Sequence, residues 1–109
     1  MRASCRLRNT DEIKALFARG KRLDTPLFRM IVRRNNLSHA RFLFVTPKTI
    51  DKRAVVRNRL RRRAREWTRV HLSIDTLPLD IALLFKKAAQ NAPRTVLYEE
   101  LTRTFSRIL

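Results

Sequence analysis

The residues of this chain with the clearest chemical potential are arginines held on one short stretch, 51-DKRAVVRNRLRRRAREWTRV-70. Arg53, Arg57, Arg59, Arg61, Arg62, Arg63, Arg65 and Arg69 fall there, and Glu66 is the acid inside the run. A guanidinium is a planar fork that donates two parallel hydrogen bonds to a phosphate or a base edge, which a lysine ammonium cannot do. At helical spacing, about 100° per residue, Val56, Leu60, Ala64, Trp67 and His71 share a narrow apolar stripe. Asn58, Arg61, Arg62, Arg65 and Arg69 gather opposite. A solvated helix face ordinarily mixes charge signs; like charges at i,i+3 and i,i+4 repel. The arrangement therefore points to a polyanion, and to nucleic acid in particular.

The whole chain carries the same bias. Its 109 residues hold 26 Lys plus Arg against 9 Asp plus Glu, a net charge of +17, far beyond what solubility requires. No stretch approaches the ~20 apolar residues of a membrane span, and no charged-then-apolar signal segment opens the chain, so no membrane partner and a cytoplasmic location are expected. Cys5 has no second cysteine for a disulfide or a zinc site. Clustered carboxylates for a metal-dependent nuclease are also missing. Asp11-Glu12 and Glu99-Glu100 sit at predicted helix starts, where the helix dipole accounts for them. His39 and His71 stand alone. The protein itself is expected to be noncatalytic and to hold no metal.

The elements that must position the arginines follow from pattern. Residues 1–109 are expected to form one RNA-binding domain, with residues 1–8, including Arg2, Arg6 and Arg8, as a flexible basic arm. Asn9 or Thr10 caps a first helix with Ile13, Leu16 and Phe17 at i, i+3, i+4, and Gly20 stops it. Residues 27–34 alternate as a half-buried strand. Asn35, Asn36 and Ser38 turn the chain into a second strand at 41–47, read as the other arm of a hairpin. Asp51 is expected to cap the arginine helix. The run 79-LDIALLFKK-87 reads as a strand buried on both sides, and a last helix, capped near Thr95, carries Leu97, Leu101, Phe105 and Ile108. The order α-β-β-α-β-α argues an α/β (α+β) two-layer sandwich with a small mixed sheet.

Residues 53-RAVVRNRLRRRARE-66 resemble the Arg-Asn-Arg motif of the bacterial ribonuclease P protein subunit. The resemblance extends outward, in order, to Phe17 and Gly20, Pro26-Leu27-Phe28, Asp80-Ile81 and Tyr98-Glu99-Glu100-Leu101. It implies a protein that binds a catalytic RNA, which with magnesium ions removes the 5′ leader from precursor tRNA. It also implies a left-handed crossover, a cleft for the leader between the first helix and the sheet, and a monomer within the holoenzyme. Carried over residue by residue, Arg57, Asn58, Arg61, Arg62 and Arg65 match the polar positions of the motif and are expected to face RNA, with Arg53, Arg59 and Arg69 beside them.

Phe17 matches a cleft aromatic, able either to stack on an unpaired base or to pack in the core beside Leu16. Lys48 matches one of two adjacent lysines after the second strand. Ile13 and Ile31 stand where the family often carries aromatics, which reduces stacking capacity. The 47–52 loop departs from the usual paired lysines, and Arg63 replaces an apolar residue. A ribosomal protein or RNA chaperone of similar shape would share charge and fold class. The discriminating feature is Arg57-Asn58-Arg59 together with Phe17. A helix-turn-helix DNA reader fits less well, because the basic helix lies between predicted strands.

Overall fold

A computed structural model of the chain describes residues 3–109, and in it the apolar run Leu79–Phe85 (β4) lies inside a four-stranded sheet. The other strands are β1 (Lys21–Asp24), β2 (Phe28–Arg34) and β3 (Arg41–Val45), in the order β1-β2-β4-β3. β4 pairs antiparallel with β2, from Phe28↔Phe85 to Arg34↔Leu79, and parallel with β3, from Arg41↔Asp80 to Val45↔Leu84. Three helices complete the fold: α1 (Thr10–Arg19), α2 (Ala54–His71) and α3 (Arg94–Ser106). The α/β sandwich with a small mixed sheet expected from the element order is present, with α2 joining the parallel pair β3 and β4, but helices lie on both faces of the sheet, α1 on one and α2 and α3 on the other, so it has three layers and not two.

The expected β2–β3 hairpin is corrected, because β4 separates the two strands. A strand apolar on both faces gains most from the middle of a sheet. The loop ends are accordingly tied elsewhere: the Asn35 amide donates to the Pro78 carbonyl (3.0 Å) and the Ala40 amide to the Ile74 carbonyl (2.8 Å). β1 was not foreseen. It carries one buried side chain, Leu23, too little pattern to read, and is held by antiparallel pairing to β2.

Alternation splits the sheet into two faces. On one, Phe28, Met30, Val32, Phe42, Ile81, Leu83 and Phe85 pack against Leu60, Ala64 and Trp67 of α2 and Leu97, Leu101 and Phe105 of α3. The Trp67 and Phe105 rings stack with centroids 5.0 Å apart. On the other face Ile31 and Ala82 are covered by Leu7 and Leu16. Asn9 caps α1, its Oδ1 accepting from the Glu12 amide at 3.0 Å. Gly20 ends α1 with an ordinary negative φ of −69°. Its need for glycine is spatial: a Cβ there would lie 2.5 Å from the Leu16 carbonyl oxygen and 2.6 Å from Ile31 Cγ2.

Three further expectations change. The arm over residues 1–8 is built into the fold where it is described: Cys5 and Leu7 are buried, Arg6 bridges Phe42, and the Leu7 amide donates to the Phe42 carbonyl at 2.9 Å. This segment covers part of the outer edge of β3, a place where unpaired backbone groups need partners. Arg2 lies outside the described residues. Asp51 is not the cap of α2. Arg53 occupies that position, while the Asp51 carboxylate accepts from the Arg53 amide (2.8 Å) and from Gln90 Nε2 (2.7 Å), tying the start of α2 to the segment before α3. Thr95 lies inside α3, whose capping residue is Pro93.

Candidate nucleic-acid interface

α2 divides as its sequence implies. Val56, Leu60, Ala64, Trp67 and Thr68 are buried. His71, expected at the end of the stripe, is exposed, with its ring stacked on Trp67 at a centroid distance of 4.9 Å. The arginines then differ in what they already hold. Arg53 forks onto Asp51 (Nε to Oδ1 3.1 Å, Nη2 to Oδ2 2.9 Å) and pulls its carboxyl well below the usual carboxylate range. Arg57 Nη1 donates to the carbonyls of Asp51 (2.8 Å) and Lys52 (2.9 Å), so it fastens the loop that enters the helix.

Arg61 donates to Thr46 Oγ1 and Asn58 Oδ1. Arg69 takes up Glu66 (Nε to Oε2 3.2 Å) and lowers its pKa. Arg62 and Arg65 form no side-chain hydrogen bond or ion pair among the described residues, and with Asn58 they present donors to solvent. Arg63 turns toward α3, where it lines a cavity with Arg94 and Tyr98.

A groove of about 230 Å³ runs between α2 and the edge strand. Arg61 and Arg65 form one wall, Arg6 and Arg8 the other, and Leu7, Phe42, Leu43 and Phe44 the floor. Four guanidinium groups and no carboxylate line it. The Phe42 and Phe44 rings lie parallel, 5.7 Å apart; Phe42 is buried and Phe44 half-exposed, so Phe44 offers an aromatic surface among cations. Sequence reasoning missed Phe44 and assigned Arg6 and Arg8 only to an arm. The alternation Arg6-Leu7-Arg8 was a signal, but three residues are too few to establish a strand period.

On the opposite face, α1 packs against the sheet, and the cleft that the resemblance implies would lie along this contact. Ile13 and Phe17 are half-buried there beside Leu43 and Leu84. Ile31 has only 2% of its surface exposed, so it supports the floor and offers nothing to a ligand. Leu43 and Leu84 take its place at the surface. Phe17 keeps part of its ring accessible, and its carbonyl accepts from Arg22 Nη2 at 2.7 Å. Lys48 is exposed on the turn between β3 and α2, where Lys87 Nζ also reaches the Thr49 carbonyl at 3.4 Å. Leu7 and Leu43 belong both to the cluster under this cleft and to the floor of the arginine groove, so the two surfaces meet at β3.

The acids serve structure. Asp80, inside the apolar strand, is forked by Arg41 (2.9 and 2.8 Å) and bonded by Asn35 Nδ2 (3.0 Å), and Arg41 also pairs with Glu12 of α1. This network pins α1 to β3 and β4. Hydrogen bonds from Arg29 and then Lys86 hold the Asp24 pKa down to about 2. Among the described residues there is no group of three His, Cys, Asp or Glu that could hold a metal ion.

Fold and surface together define a basic α/β protein with its arginines displayed on the helix that connects two parallel strands. The Ribonuclease P family model matches residues 1–109. The chain is 36% identical over 104 residues to the ribonuclease P protein component of Vibrio vulnificus strain YJ016, covering 94% of this chain and 83% of that protein. It is 39% identical over 70 residues to that of Chromobacterium violaceum, covering 64% and 58% respectively. A Thermotoga maritima RNase P protein superposes with a TM-score of 0.85 at 26% identity, over 95% of this chain and 100% of that one. A Staphylococcus aureus RNase P protein mutant shares the fold, with a TM-score of 0.88 at 22% identity over 96% and 88% of the chains. The chain belongs to the ribonuclease P family, that of the enzyme's protein component.

Proposed function

We propose that this protein binds the catalytic RNA of ribonuclease P through the outward side of α2 and the 5′ leader of precursor tRNA through the cleft beside α1. The observation that carries the reading is the outer side of α2: Arg62 and Arg65 stand beside Asn58 without an acid partner, and the nearby Glu66 is taken up by Arg69. Arg61 and Arg65 extend this surface into the groove with Arg6 and Arg8. Arg53 and Arg57 have a positioning role, since their guanidinium groups hold the loop before α2. Phosphate contacts fix register and supply affinity without reading sequence.

Phe17 and Phe44 are the aromatic surfaces available to unpaired bases. Cleavage belongs to the RNA, with magnesium held by RNA and substrate phosphates. The protein contributes binding and orientation: Asp24, Asp51, Glu66 and Asp80 are engaged by arginines or lysines, Glu100 by Arg103, and Asp11 lies in the first turn of α1. Reconstitution tests the reading. The protein added to a bacterial ribonuclease P RNA at low magnesium should restore precursor-tRNA cleavage, and Arg65→Gln should weaken RNA binding without lowering the melting temperature. If ~5 phosphates are neutralised, affinity should fall by about 2–3 decades between about 0.1 and 0.4 M monovalent salt. Binding that ignores salt would refute the phosphate contacts.

A further inference from the structure

The side of α2 that faces α3 carries a second group of arginines. With about 100° per residue, Arg59 and Arg63 lie roughly 160–200° around the helix from Arg61, so no single phosphate can serve both flanks. Arg62, Arg63, Glu66, Arg94 and Tyr98 line a cavity of about 340 Å³ at this junction. Arg59 lies one turn before Arg63 on α2 and adds its charge to the same neighbourhood.

The electrostatics are equally one-sided. Burial pushes the Arg63 pKa down, and the charges of Arg59 and Arg94 push it further, so the cluster repels itself in the isolated protein. The acid in the wall, Glu66, is committed to Arg69. Arg94 is the first residue of α3, a 13-residue helix whose cap, Pro93, supplies no side-chain hydrogen bond and whose first turn holds no acid. The positive end of that helix dipole adds to the same field.

We propose that the α2–α3 junction is a second phosphate-binding site for RNA, in which Arg63 and Arg94, with Arg62 at the rim between the two flanks, hold backbone phosphates beyond the reach of the Arg61–Arg65 flank. This rests on the RNA-binding reading above and deepens it: α2 would be a ridge gripped on both sides, not a helix with one binding face. Arginine forks suit phosphodiester oxygens, and a Tyr98 hydroxyl at the rim can donate to one more.

The test is binding of the full-length protein to a bacterial ribonuclease P RNA across a salt series, with Arg63→Leu, Arg94→Gln and the double variant. The logarithmic salt slope should fall by about 0.7–0.9 for each phosphate that is no longer neutralised. For the double variant the slope should drop by about 1.5, while its melting temperature stays level or rises because a repelling, desolvated cation has gone. Arg63→Lys should retain part of the slope. Arg61→Gln with Arg65→Gln is the control on the other flank. If the control lowers the slope and the junction variants leave it intact, this site is refuted and the general reading stands. If neither pair lowers it, the general reading fails as well. A drop in affinity only in step with a lower melting temperature would reduce the junction to a structural role, and binding of polyglutamate as tight as RNA would reassign it to an acidic protein segment; either result overturns the proposal.

Discussion

Phe17→Ala separates leader recognition from scaffold integrity. The ring is half-buried with Ile13, Leu43 and Leu84 over the buried Leu7, Leu16, Ile31 and Ala82. Truncating a fully buried phenylalanine costs about 3–5 kcal/mol. For a ring with one side in solvent the expectation is roughly half, about 2 kcal/mol, or on the order of 8 °C in melting temperature for a domain of this size. Stacking on an unpaired base is worth about 1–3 kcal/mol, so holoenzyme affinity for precursor tRNA should fall about 5- to 150-fold. Affinity for mature tRNA, which has no leader, should hardly change. Phe17→Leu sharpens the comparison, since it keeps apolar volume and removes the π surface. It should melt within a few degrees of the parent protein and still lose much of the leader preference. The assays are equilibrium binding of both tRNAs and a thermal melt for each variant. Equal losses on precursor and mature tRNA would refute the cleft, and Phe17 would then be a packing residue.

Other expectations follow from the same interactions. Gly20→Ala should destabilise the fold by about 1–3 kcal/mol in denaturant unfolding, because its methyl would meet the Leu16 carbonyl and Ile31 and lift α1 from the sheet. Arg41→Ala should cost about 3–5 kcal/mol, since it strands the Asp80 carboxylate, whose side chain is 10% exposed, with Asn35 as its remaining partner. Acid should weaken the protein in a defined window. The folded Asp24 pKa is about 2 against about 3.9 unfolded, so its contribution is complete above about pH 4 and lost as pH falls toward 2. Asp51 and Glu66 shift in the same direction. Urea midpoints measured across that range should fall with pH, and Asp24→Asn should make the fall shallower.

Local pattern made the arginine helix and the central strand legible. Every third or fourth residue of α2 is apolar from Val56 to Trp67, and the burial follows it. β4 reads as doubly buried and is so, with Asp80 tolerated because Arg41 and Asn35 reach it. What failed depends on partners distant in sequence. Nothing between residues 28 and 45 announces that β4 will intervene, because that choice is made by the hydrogen bonds of Asn35 and Ala40 to Pro78 and Ile74. The groove escaped notice for the same reason: Arg6 and Arg8 meet Arg61 and Arg65 only after the N-terminal segment pairs with β3. Arg63 looks like a flaw in the apolar flank of α2 until Arg94 is seen across the junction.

β3 joins the two proposed surfaces, and its alternation explains how. Phe42 and Phe44 point to the α2 side, Leu43 to the α1 side, and Leu7 packs beside them at the covered edge. If RNA occupies both surfaces, a strand leaving the cleft past Phe17 and Leu43 would reach Arg61 and Arg65 by crossing one sheet edge, with Phe44 in between. Such a passage predicts an order of effects. Arg65→Gln should weaken the catalytic RNA contact and Phe17→Leu the leader contact, each with little effect on the other. Leu7→Ala should weaken both, because Leu7, 2% exposed, lies beneath the cleft cluster and the groove floor alike. Its removal also loosens the segment that carries Arg6 and Arg8. If Leu7→Ala lowered leader affinity alone, the two surfaces would be separate sites on one sheet and not a continuous path.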